Sequence, residues 1–493
     1  MIFSPRLPNR VTKFNMCKGY LTIYVSLTMT IMLALCLTLI EGARRSTIRL
    51  ETECVVDIAM NSVLAEYHKE LFNQYNLFYI DSSYGSNYPS YYNTEARLRY
   101  YLEQNMNLKE VSYIDFLYKD LVGMELEAVY LKQVALATDG NGVLFQKRAA
   151  EAVKDDVGVT LVENVLDWVE TVEDKELMEQ DMEEQKEAAD EQLQAFYGTQ
   201  KELADKQWIQ VEISDPTQHL DDMRAKGVLK WVVAEDTLLS GQKVDLNQYL
   251  SARKRRGDIN QGNVMVTEQL SVMERIWFQE YLLRYCGHFG QEKENSLLKY
   301  QAEYLVAGEA EDTENLRQVV HTICGMREVA NVLYLTSSVE KSALIELVAG
   351  VLATAVFCPE AAPAFEAVLV LGWGYAESLY DTKVLLAGGE VPLLKDDDSW
   401  HYDLDSILDS FSIQMEEETQ QGMSYTDYLH VLLYLLDADQ TTYRFMDLME
   451  MDIRLTEGNE AFRMDGCIES IEVEARIKSG YGYGFQITRQ KKY

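Results

Sequence analysis

A chain of 493 residues with 80 acidic against 45 basic side chains carries a formal charge of −35. So acidic a body is repelled by phosphate, which excludes nucleic acid as a partner. The 47% hydrophobic and 11% aromatic content excludes wholesale disorder and leaves room for two or three domains.

The first 19 residues form a basic leader, with Arg6, Arg10, Lys13 and Lys18 and no acidic residue. From Tyr20 to Ile40 run 21 residues without charge, proline or glycine. As a helix they reach roughly 30 Å, the thickness of a hydrocarbon core. The pattern predicts a single transmembrane helix over 20–41, in contact with membrane lipid. Basic residues dominate its N-terminal flank, so the leader is expected in the cytoplasm and the rest outside. Outer cleavage is not expected, because Glu41 sits two residues before Ala43 where a signal peptidase needs a small side chain. The first fifty residues carry +6, which leaves about −41 for the remainder.

"KGYLTIYVSL" resembles the start of the pseudopilin-like proteins of tight-adherence (Tad) pilus systems. The resemblance implies a cytoplasmic peptidase that cuts after Gly19 and partners within a pilus or surface assembly. The family carries a glutamate five residues after the cut, where this chain has Tyr24. "LTMTIMLALCLTLIEGAR", "NLFYIDSSYG", "FQEYLLRYCGHF" and "LLAGGEVPL" resemble an uncharacterised family of bacterial membrane proteins with the same start.

Past the membrane, Ile48, Val55, Val56, Ala59, Val63, Tyr67 and Leu71 keep helical spacing. They predict one helix from Tyr20 to about Tyr75, a transmembrane segment that runs on as a stalk. The turn-rich "IDSSYGSNYPSYYN" follows, with five tyrosines from Tyr79 to Tyr92 that either pin the loop or offer a sugar or peptide surface. From Leu161 to Phe196 apolar residues recur at helical intervals over a very acidic face, as in a helical hairpin or coiled coil. Residues 42–207 thus read as stalk and acidic helices. Over 208–265 come two short strands, "WIQVEI" and "VLKWVV", then the basic linker "ARKRRGDINQGN". A helical body spans 266–460, centred on "ALIELVAGVLATAVF" and "AAPAFEAVLVLGWGYA", which predict a buried helical hairpin. Over 461–493, alternation in "ESIEVEARIKSGYGYGFQIT" predicts a β-hairpin. The fold class is mainly α with a small β part (α+β).

Chemistry is scarce. Cys286 and His288 with His321 and Cys324 are tetrahedral zinc ligand types, but at intervals of no known finger, so no metal is expected. The acidic cluster Asp396, Asp397, Asp398, Asp403 and Asp405 and the segment "DADQTT" lack the glycine and closing glutamate of a calcium loop. "GWG" at 372–374 lacks the third glycine of a dinucleotide fingerprint. No catalytic residue and no cofactor is assigned. These readings point to a non-enzymatic, membrane-anchored extracytoplasmic protein, which the resemblance would make a pseudopilin-like component of a Tad-type assembly. The alternatives are an anchored cell-surface enzyme of the cell-wall hydrolase class, or a sugar- or peptide-binding module.

Overall fold

The computed structural model describes residues 17–106, 124–202, 208–234, 236–253, 269–409, 411–413 and 421–493. In chain order the first elements are α1 (Cys17–Leu64), α2 (Lys69–Tyr75), β1 (Ile80–Asp81), α3 (Tyr91–Met106) and β2 (Met124–Leu136). Then come α4 (Val143–Val153), α5 (Val159–Asp174), α6 (Met182–Gln194), β3 (Gln200–Glu202), β4 (Trp208–Gln210), α7 (Gln218–Ala225) and α8 (Leu229–Val232). The helical body is α9 (Val272–Tyr285), α10 (Gln301–Ala307), α11 (Asp312–Ser337), α12 (Val339–Ala355) and α13 (Ala362–Leu386). It continues through α14 (Leu404–Asp409), α15 (Tyr425–Leu435) and α16 (Ala438–Arg454) to β5 (Cys467–Ser479) and β6 (Gly484–Lys492). The expected α+β class is what these elements make. They divide into one unit of Met1–Glu66, Tyr91–Val134 and Ser470–Tyr493, and a second of Tyr67–Ser90 and Ala135–Glu469.

In the first unit α1 changes character along its length. Its most apolar 18 residues have a mean hydropathy of 2.3 and none of them is buried. From Ile48 onward one face is enclosed: Ile48, Thr52, Val55, Val56, Ala59, Met60 and Val63 recur at helical intervals. The same helix packs against α3 and β6. Ion pairs tie its edge, with Arg489 Nη2 3.1 Å from Glu53. The helix therefore does continue past the apolar span, but packed on one side. It ends at Leu64 rather than near Tyr75, stopped by a turn at Ala65 and Glu66. In the second unit the His68 imidazole accepts the Leu71 N–H and starts α2 afresh.

The expected C-terminal hairpin is present in the first unit, with Glu474 opposite Thr488 and Lys478 opposite Gly484. Gly482 takes a φ of +86° in the turn, a conformation that costs glycine least. The hairpin's inward residues Ile471, Val473, Ala475 and Ile477 are all buried. At its other end, in the second unit, β5 pairs with β1 through Cys467 and Ile468. Deleting residues 466–493 should therefore lower the melting temperature of the purified protein. An unchanged melting curve would make the hairpin an appendage.

In the second unit the acidic stretch forms two helices, α5 and α6, each burying one apolar face. Residues 228–233 are not the expected strand. Val228, Leu229 and Val232 fall on one buried helical face, and the Trp231 indole donates to the Met223 carbonyl at 3.0 Å, which winds the segment into α8. The basic linker falls mostly outside the described residues, as does nearly all of the leader. The expected buried hairpin holds for α13, which is enclosed over most of its length. It does not hold for α12, which buries only Ile345, Ala349 and Ala353 while Leu347 and Val351 stand 64% and 60% exposed.

Candidate functional site

Glycine sets how closely α13 packs. A Cβ on Gly374 would lie 2.7 Å from Val332 Cγ2 of α11, and one on Gly372 would lie 2.5 Å from Thr217 Cγ2. "GWG" is thus a close-approach surface, with the Trp373 ring buried between its glycines. Such an approach leaves α11 and α13 near enough to share buried charges. Arg327 Nε and Nη2 both lie 3.0 Å from Asp381 Oδ2, and Arg327 Nη1 donates to the carbonyls of Pro392 (2.8 Å) and Leu393 (2.6 Å). Lys395 Nζ reaches Asp381 Oδ1 at 2.7 Å and also pairs with Glu377. Glu377 accepts the backbone N–H groups of His401 and Tyr402 at 2.9 and 3.0 Å. Two cations and two carboxylates balance in a region closed to water. Burial works against the Asp381 carboxylate, but the Lys395 and Arg327 charges outweigh it and hold its pKa below the ordinary value. Burial pushes Glu377 up.

A second set of inward charges lies on α16. Glu450 binds Arg253, which also reaches Asp465 at 2.7 Å, and it takes a further bond from Arg454 at 2.8 Å. Asp452 accepts from Tyr75 Oη (2.8 Å), Lys293 Nζ (3.0 Å) and Gln301 Nε2 (2.9 Å). Asp447 accepts from the Tyr304 hydroxyl at 2.9 Å, and burial raises its pKa to about 6. These groups hold helices and loops together, and nothing in their arrangement points to catalysis.

A cavity of about 470 Å³ is walled by residues 178–183, α7, α11 and α13. Arg224 of α7 forks onto Glu328 of α11, with Nη2 2.6 Å from Oε1 and Nη1 3.1 Å from Oε2. Its guanidinium also lies over the Tyr375 ring, 3.9 Å from the centroid. Burial raises the Glu328 pKa against the pull of Arg224. Glu179, Asp181 and Glu183 stand exposed along the wall formed by residues 178–183.

Beside this wall, Lys186 is only 4% exposed. Its ammonium lies 2.6 Å from Asp190, 2.7 Å from Asp215 and 2.9 Å from Asp221. Burial opposes the Lys186 charge, but the three carboxylate bonds prevail and raise its pKa. Asp221 is pushed up to about 6, chiefly by burial. Among the described residues these three aspartates are the one group of metal-ligating side chains close enough to share an ion, and the Lys186 ammonium already sits among them.

Gly19 and Tyr24 both lie on the exposed apolar part of α1, with open space around Gly19. Cys286 is buried where α9 ends, and burial raises its pKa. His288 Nδ1 lies 2.8 Å from the Phe289 carbonyl in the following turn. His321 and Cys324 are both on α11 and line the cavity. Cys324 Sγ lies 3.3 Å from Ser378 Oγ, and burial pushes its thiol up to about 12. The two pairs do not converge on one point among the described residues. Cys36, Cys54, Cys286, Cys324, Cys358 and Cys467 are free thiols. Asp396 closes a turn on the Ser399 N–H, Asp397 accepts from Tyr334, and Asp437 caps α16. In the tyrosine-rich loop Tyr79 is buried while Tyr88 stays exposed.

A family model described only as a family of unknown function, DUF5702, matches residues 206–479, more than half of the chain. The chain belongs to the DUF5702 family. No curated protein and no solved structure matches it. The DUF5702 match takes in Arg224, Arg327, Glu328, Tyr375 and Asp381 together with all of α16. It begins after the acidic wall 178–183 and after Lys186, so the cavity is built from both the family region and the sequence before it.

Proposed function

We propose that the protein is a non-catalytic, single-pass membrane protein whose body stands outside the cytoplasm, as a pseudopilin-like component of a Tad-type pilus or related surface assembly. One observation carries the reading. The most apolar 18 residues of α1 are wholly unburied, whereas the same helix is enclosed on one face from Ile48 onward, so an apolar solvent is needed for the first part only. The four basic residues before Tyr20 favour a cytoplasmic leader, and the tight-adherence resemblance at "KGYLTIYVSL" supports association through packed apolar helices.

The test has two parts. The full-length protein, expressed in cells, should stay with membranes after alkaline carbonate washing, and its body should be digested by protease added to spheroplasts. Release by carbonate, or a body digested only in inverted vesicles, would overturn anchor or orientation. N-terminal sequencing should find a mature end after Gly19, and Gly19→Val should abolish that processing. An identical N-terminus and mobility for both forms would remove the pseudopilin assignment and leave a plain signal anchor.

A further inference from the structure

The cavity between α7, α11, α13 and residues 178–183 contains polar groups that the protein leaves without partners. Tyr375 is 2% exposed, and its hydroxyl has no hydrogen-bond partner among the described residues. Burying a hydroxyl without a partner is unfavourable. Tyr375 lines the cavity beside Cys324, Arg224, Glu328 and Glu183, and its ring lies under the Arg224 guanidinium. Arg224 Nε is a second buried donor without a partner there, although the two Nη atoms are taken by Glu328.

The electrostatics of the mouth are one-sided. Glu179, Asp181 and Glu183 line it and stand in no ion pair among the described residues. Arg224 is the one basic side chain other than histidine in the lining, and Glu328 already neutralises it. An inner donor pair that wants an oxygen acceptor therefore faces an outer row of carboxylates that wants a cation. We infer that this cavity binds a small organic cation in which a primary ammonium group is joined to a neutral oxygen acceptor, as in an amino sugar or a lysine amide. The oxygen takes the Arg224 Nε–H and the Tyr375 O–H, and the ammonium lies against Glu179 and Glu183. A volume of about 470 Å³ fits a ligand of that size.

Calorimetric titration of the full-length protein in detergent tests this with four probes. Glucosamine and lysinamide carry both groups, N-acetylglucosamine has lost the charge, and butylamine lacks the oxygen. At least one of the first two should bind, more tightly than both controls and less tightly at high salt. Whichever of the two binds better identifies the sugar or the peptide source. Tyr375→Phe keeps the ring under Arg224 and removes a hydroxyl that has no partner, so its melting temperature should not fall while affinity drops roughly three- to tenfold. Glu179→Gln with Glu183→Gln should weaken binding roughly tenfold and flatten its salt dependence. No binding of either amine well above millimolar concentration overturns the inference. Equal binding of N-acetylglucosamine, or undiminished affinity in Tyr375→Phe, overturns it as well.

Discussion

Arg327→Met is expected to destabilise the protein by about 3–5 kcal/mol, measured by urea denaturation of the purified chain. Methionine fills much of the same volume, so the loss is mainly electrostatic. Without the guanidinium, Asp381 and Glu377 have only Lys395 between them, and one buried negative charge is left over. The Pro392 and Leu393 carbonyls lose their donor at the same time. Adding Asp381→Leu should recover part of the loss, because Lys395 and Glu377 then remain as a balanced pair. A double variant as unstable as the sum of the two single ones would show that the four charges do not act as a set.

These networks explain where the sequence is legible and where it is not. Apolar periodicity marks α5, α6 and α1 beyond Ile48, alternation marks β5 and β6, and an apolar run marks α13, because those patterns record what is buried. The strand β2 has a signal too, since Met124, Leu126 and Ala128 alternate with Glu125 and Glu127. Polar burial has no such local sign. In α16, Asp447, Glu450 and Asp452 look like a solvated face, yet their partners Tyr304, Arg253 and Lys293 are distant in sequence. Lys186 likewise reads as one cation in an acidic run until Asp215 and Asp221 close over it. The cavity is half visible. His321 and Cys324 stand out as ligand types, but Arg224, Glu328 and Tyr375 come from three helices and no spacing connects them.

Raising the pH from 5 to 8 should destabilise the protein, and Glu303→Gln should remove a large part of that loss. Glu303 is fully buried on α10, and its Oε1 accepts the Phe289 N–H and the Tyr425 hydroxyl, each at 2.8 Å. Oε2 has no partner among the described residues. Burial raises the pKa from 4.5 to about 7 despite those two bonds. Between these values the folded state holds a proton that the unfolded state has released. Stability is therefore greatest at the acidic end of the window and falls as pH rises through about 7. The shift corresponds to about 3 kcal/mol. Asp447, raised to about 6, acts in the same direction over a lower window. Asp381, with its lowered pKa, acts the opposite way and only as pH falls below 3.8, so it does not offset the loss near neutrality. Glutamine keeps the acceptor at Oε1 and cannot ionise. The stability difference between Glu303→Gln and the parent should therefore move in favour of the variant by up to about 3 kcal/mol between pH 5 and pH 8. Parallel pH profiles for the two proteins would show that Glu303 does not hold its proton in the folded state.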